Sequence, residues 1–175
     1  MIEILKKRRS VRTFLDIPVD KEKIEILIQA ALLSPTSKDS RPWEFIFVDE
    51  RELIDKMSEC KPAGSQFMKH APLALVVMAE ENKSQAWIED TVIAANNIQN
   101  TAESIDVGSC WVQIRGRMYD DNTTSEEYIR TLFNIPDHFK IECIIALGYK
   151  EMQRPPHIEE HLKFDRIHFN SFTKE

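Results

Sequence analysis

The chain has 175 residues, 42% hydrophobic and 30% charged, and is long enough to bury a full core without disulfides or a structural metal. Its 29 acidic against 23 basic residues give a formal net charge of −6, which makes it a poor candidate for a nucleic-acid binder. Three well-separated cysteines without a C-x-x-C pair argue against a disulfide scaffold or a thiolate metal site. The lack of a signal-like or membrane-length apolar run leads us to expect a cytoplasmic location.

In chain order, Ile2 to Lys7 reads as a short helix with Ile2, Leu5 and Ile4 facing inward. Asp20 is placed to cap a second helix over Lys21 to Leu33, whose Ile24, Leu27, Ile28, Ala31 and Leu32 follow helical spacing. Ser34-Pro35 ends it, because a residue before proline avoids helical angles. A polar loop, Thr36 to Arg41, leads to an extended run over Trp43 to Val48. Asp49 then heads a helix to about Glu59, with Glu52 at the capping-box position.

Leu73 to Ala79 is almost continuously apolar, the pattern of a strand covered on both faces. The longest helical pattern spans about Gln85 to Asp106. It ends at Gly108, and Cys110 to Ile114 reads as a strand. Thr124 and Glu127 form a capping box for a helix ending near Phe133, and Ile141 to Leu147 is a fourth strand. After Pro155-Pro156 no regular pattern returns until Arg166 to Phe172. A tail with so little apolar periodicity is expected to wrap this subunit or a partner. The alternation of elements predicts helical layers around a small central sheet.

Three segments carry candidate chemistry. Arg8-Arg9-Ser10-Val11-Arg12 gathers guanidinium groups and a hydroxyl suited to one phosphate, though it also fits a solvated basic helix end. Ser34 to Trp43 packs small hydroxyls and amides between two prolines, and is equally a helix-to-strand connection. Gly108 to Arg117 ends in a Gly116 that lets backbone N–H groups approach a ligand, or simply lets the strand exit.

Together these segments resemble the nitroreductase family. Arg8 to Phe14 is similar to the family's RRSxRxF pattern, and Ser34 to Trp43 to its SPSSxNxQPW pattern. Asn97-Ile98-Gln99 with Gly108-Ser109-Cys110-Trp111 resembles its central helix and the strand that follows. Ala146-Leu147-Gly148-Tyr149 resembles the last core strand, and Ile167-His168-Phe169-Asn170 a common tail ending. The matches keep the family's order across residues 8 to 170.

The resemblance implies an α+β, three-layer sandwich with a central mixed β-sheet flanked by helices. It implies one FMN-binding domain over residues 1–175, with about 150–175 an extended tail wrapping a homodimer. FMN would lie in the dimer interface, with NADH or NADPH as electron donor. Arg8, Arg9, Ser10 and Arg12 would bind the flavin, Arg8 toward the phosphate and Arg12 toward the polar edge of the ring. Pro35, Thr36, Ser37 and Asp39 would reach ring and ribityl chain across the interface. Ile114 and Gly116 would lie behind the ring near N5, and Arg154 would complete the phosphate site. No catalytic side chain and no metal is required.

The implied activity passes hydride from NAD(P)H through the flavin to a small electrophile such as a nitroaromatic or a quinone. The same scaffold also admits dehalogenation, enone reduction, flavin breakdown, or non-catalytic FMN carriage. Asp39 replaces the family's usual asparagine, Arg41 a frequent glutamine and Arg115 a glutamate of well-known members. An ionised aspartate cannot donate, so Asp39 is expected to pair with Arg41 or Lys38. His157-Ile158-Glu159-Glu160-His161 fits the H-x-x-E-H pattern of certain zinc peptidases. That site needs a long helix and a downstream ligand, neither of which this tail offers.

Overall fold

The computed structural model describes residues 1–172. Its main elements are α1 (Ile2–Lys7), α2 (Lys21–Leu32), β1 (Trp43–Val48), α3 (Arg51–Ser58), β2 (Leu73–Glu80), α4 (Trp87–Ser104), β3 (Gly108–Gln113), α5 (Ser125–Phe133) and β4 (Phe139–Gly148). A short 3-10 turn, Gln66–His70, precedes β2 and has no counterpart in the sequence pattern.

The four strands run in the order β1-β2-β4-β3, so β1 and β3 are the outer strands. Every pair of neighbouring strands is antiparallel. Of the mixed sheet expected from the sequence, the parallel component is a single bridge, Ser10 to Ser109, outside β3. The reason is topological: α3 and α5 each return the chain reversed beside the strand just left. The α+β, three-layer expectation holds. One face packs on α2 and α4 through Leu27, Ala31, Leu75, Val77, Ala95, Ile98, Cys143 and Ile145. The other packs on α3, α5 and the Gln66–His70 turn through Ile54, Met57, Met68, Val76, Val112, Ile129 and Ile144. Apart from the half-buried Glu80, β2 is buried throughout, as its apolar run requires.

Local chemistry explains some helix starts better than others. In α5 the Glu127 N–H donates to Thr124 Oγ1 at 3.1 Å, and the Thr124 N–H to the Glu127 carboxylate at 2.7 Å, closing the predicted box. The Thr124 hydroxyl, donating to the Glu127 carboxylate at 2.7 Å, and then the Thr124 N–H hold that carboxyl below its ordinary pKa. Asp20 does precede α2 but makes no side-chain cap; its carboxylate instead accepts from the Tyr149 hydroxyl at 2.7 Å. The third helix begins one residue later than expected, with Glu50 at its cap and no capping box.

Nor does α1 bury what its spacing suggests. Ile2 and Leu5 are exposed, and the helix has no buried residue. Ile26, Ile28, Leu32 and Leu33 of the α2 region are exposed as well, as are Ile158, Leu162, Phe164, Ile167, Phe169 and Phe172 of the tail. No helix of the described chain is long and apolar enough to cross a membrane.

Candidate functional site

The first basic segment leaves α1 and runs beside the outer edge of β3. Ser10 bridges Ser109, and the Val11 N–H donates to the Ser109 carbonyl at 3.0 Å. Gly108 permits this approach, since a Cβ there would lie 2.9 Å from Lys150 Cγ and 3.0 Å from both Val11 methyls. The Arg12 guanidinium carbon sits 5.8 Å from the centre of the Phe67 ring. Cys110 is buried beneath the segment. Burial pushes its thiol pKa up, while the nearby charge of Arg12, a hydrogen bond with Ser10, and the charges of Lys61 and Arg8 pull it down.

Among the described residues, none of Arg8, Arg12, Lys61 and Arg117 has a carboxylate partner. Arg9 differs. Its Nη1 donates to the Pro155 carbonyl at 2.5 Å, and the His157 N–H donates to the Lys6 carbonyl at 2.8 Å. The tail is thus strapped across the start of the basic segment. The strap brings the exposed Arg154 to that segment, because it directly precedes Pro155.

At the far end of β3 the chain is shaped by Glu142. The register between β2 and β4 passes from Val77 opposite Cys143 to Met78 opposite Ile141, which leaves Glu142 as a bulge. Its carbonyl accepts from the N–H groups of Ile114 at 3.2 Å and Arg115 at 3.1 Å. Its carboxylate, 2% exposed, accepts from Arg115 Nε at 2.5 Å and Gln113 Nε2 at 3.1 Å. The Trp111 indole in turn donates to Gln113 Oε1 at 2.9 Å. Arg115 is therefore committed to an internal acid.

Ile114 is fully buried, with its N–H given to Glu142 and its carbonyl taken by the Arg117 N–H, so it is a scaffold behind the turn. Gly116 is the open point. Its φ is +69°, and nothing lies within 4 Å of where a Cβ would stand.

The second polar segment precedes β1. Lys38, Asp39 and Arg41 have φ of +54°, +54° and +44°, a strained conformation for three residues that are not glycine. Internal bonds hold it. Thr36 Oγ1 accepts the Arg41 N–H at 3.0 Å, and the exposed Asp39 carboxylate pairs with Arg41 Nε at 2.8 Å. Buried Asp90, in the first turn of α4, accepts the Ser37 N–H at 2.8 Å and the Ser84 hydroxyl at 2.8 Å. Asn97 donates to the Ser34 hydroxyl at 3.0 Å, and Pro35 is exposed.

Among the described residues no hydrogen bond or ion pair joins these two segments. Ser37 is tied to Asp90, while Ser109, the neighbour of Ser10, accepts from Gln99 at 3.3 Å. The polar segment is held on α4 at Asp90 and Asn97, and Gln99, which holds Ser109, points about 200° around the helix from Asn97. Arg12 lies over Phe67 of the Gln66–His70 turn, and Val11 and Phe14 join the α3 and α5 side of the core, whereas Ser34 and Ser37 are tied to α4. The sequence pattern does not single out Asp90, Glu142 or Lys61. Glu142 does leave a signal, as one acid inside the apolar run Ile141 to Leu147. His157 to His161 lies exposed in the tail around a single 3-10 turn, Glu159–His161, and not on the long helix its zinc-peptidase pattern needs.

Comparison with known proteins bears on the family and the fold. The sequence model of the nitroreductase family matches residues 5–61 and 58–149. A solved FMN-dependent nitroreductase from Clostridium difficile R20291 is 45% identical, covers 98% of this chain and all of its own, and superposes with a TM-score of 0.97. A protein of Methanothermobacter thermautotrophicus, provisionally named an NADH dehydrogenase/NAD(P)H nitroreductase, is 34% identical over 98% of this chain and 87% of its own length. An FMN reductase [NAD(P)H] of Bacillus subtilis is 30% identical over 62% of this chain and 43% of its own.

Proposed function

The chain belongs to the nitroreductase family, and from that premise we propose that it is an FMN-dependent NAD(P)H oxidoreductase that works as a homodimer. The observation that carries the reading is the row of cations along β3, unpaired among the described residues, in a chain of net charge −6. Unpaired guanidinium groups beside a backbone edge suit an anionic, planar ligand, because each presents paired N–H donors. The open backbone at Gly116 suits close approach by a ring. The donor set therefore fits FMN.

When bound, FMN would supply two-electron transfer, taking a hydride equivalent from NADH or NADPH and yielding it to a small electrophile such as a nitroaromatic or a quinone. Arg8 holds the phosphate, with Ser10 beside it. Arg9 secures the tail, which delivers Arg154 to the same region. Arg12 places its charge at the polar edge of the ring, where it favours the electron-rich state. Pro35, Thr36, Ser37 and Asp39 form a preformed wall contributed by the other subunit. Among the described residues no hydrogen bond or ion pair joins them to the arginines within one chain, which supports dividing the site between two copies. The exposed apolar side chains of α1, α2 and the tail supply surface for that pairing.

The test is direct. Purified protein should be yellow, should release FMN and not FAD on heating, and should lose its visible flavin absorbance on rapid mixing with NADH or NADPH. Light scattering should give the mass of two subunits. A colourless protein that takes up no added FMN overturns the proposal, as does a monomer that retains it.

A further inference from the structure

Two of the cations along β3 are surplus to a single phosphate site. Ser10 lies at the start of β3, beside Ser109, whereas Lys61 Nζ donates to the carbonyl of Gln113 at 3.5 Å. Four residues of strand separate these points, about 13 Å. Lys61 therefore borders the opposite end of β3 from the one that Ser10 approaches. Arg117 follows the open turn at Gly116, and its N–H donates to the Ile114 carbonyl at 3.0 Å, so both cations border the end of β3 next to that turn. The nearby buried acid, Glu142, is already taken by Arg115 and Gln113. Burial, the first cause, and the like charge of Arg117 lower the Lys61 pKa, against the opposite pull of Cys60 and Cys110.

We propose that Lys61 and Arg117 form a second anion-recognition subsite, at the C-terminal end of β3, that selects acceptors carrying a carboxylate. The inference rests on the reading that a flavin ring lies against Ile114 to Gly116. An acceptor reduced over that ring would bring its substituents to the rim beside Gly116. There a lysine supplies a point charge and an arginine a planar fork, and together they bind a carboxylate. The same chemistry would hold the extra phosphate of NADPH, so the experiment separates the two sources.

FMN-loaded protein is assayed with 4-nitrobenzoate and with its neutral methyl ester, and the ratio of their kcat/KM values is taken. Binding of unreactive benzoate against benzamide is measured by calorimetry in parallel, independently of turnover. Wild type should prefer the carboxylate, and that preference should fall as salt is raised. Lys61→Gln and Arg117→Gln should each lower the ratio and weaken benzoate about tenfold, the loss expected for one charge-assisted contact. Lys61→Arg should restore most of it.

An unchanged ratio in both variants, or no benzoate preference in wild type, overturns the inference. A shift confined to the NADPH over NADH ratio also overturns it, by assigning the pair to the donor's phosphate. A protein that binds no FMN fails the underlying reading instead, and the missing flavin spectrum identifies that case. A folded far-ultraviolet spectrum for each variant excludes collapse as the cause.

Discussion

The two outer edges of the sheet are built on opposite principles. Along β3 the side chains are left unspent: Arg8, Arg12, Lys61 and Arg117 have no carboxylate among the described residues. Before β1 polar groups are spent internally, through Asp90, Thr36 and the Asp39–Arg41 pair, to hold three residues at positive φ, although the Ser40 hydroxyl and the Trp43 indole N–H are buried without a partner. One edge stores charge for a ligand, and the other stores shape. A mutation on the first should therefore cost binding, and one on the second should cost folding before it costs binding.

The largest expected effect removes the support of the charged edge. Gly148 ends β4, and a Cβ there would stand 2.5 Å from Pro72 Cδ and 2.9 Å from Phe14 Cδ1. Gly148→Ala must displace Phe14, the end of the arginine segment, and should cost about 3 kcal/mol of stability by overpacking. Urea denaturation monitored by circular dichroism gives the number, and a loss below the ordinary surface range would refute the contact.

The next prediction sets one edge against the other. Asp90→Ala strands the Ser37 N–H and the Ser84 hydroxyl, and should cost about 2 kcal/mol, since bonds to a buried charge are at stake. Asp90→Asn, which keeps an acceptor, should cost less. Arg8→Gln should leave the unfolding free energy of the flavin-free protein within about 0.5 kcal/mol of wild type. It should nonetheless weaken FMN by at least about tenfold. If the two variants exchange profiles, the contrast between shape and charge is wrong. The smallest effect belongs to the Asp39–Arg41 pair. Both side chains are exposed, and Arg41→Ala should cost under about 1 kcal/mol in thermal denaturation.

What the sequence discloses follows from how far each residue looks for its partner. Thr124 and Glu127 are three apart, so their reciprocal cap is legible from spacing alone. Asp20 and Asp49 carry the same local signal, yet neither caps a helix through its side chain. Asp20 reaches Tyr149, 129 residues away, and a tertiary partner overrides the local one. Asp90 and Lys61 escape a reading by spacing for the same reason, since their partners Ser37 and Gln113 lie 53 and 52 residues off. The inward face expected of α1 fails differently. Periodicity identifies an apolar stripe without saying whether its cover comes from the same chain. The arginine motif and the polar loop are both recognisable in the sequence, but their division between two sheet edges is a property of topology, which spacing does not encode.

The burial of the three thiols has a consequence of its own. Cys60, Cys110 and Cys143 are each at most 1% exposed, and burial raises the pKa of all three. A thiol reagent therefore waits for the fold to open, and each cysteine becomes a clock for a different opening. Cys143 lies on a central strand and reports only the rarest, whole-molecule event. Cys110 lies on an outer strand, beneath the arginine segment, and is released whenever that segment lifts. The spread between their labelling times measures how independently the charged edge breathes, without any probe being added to the chain.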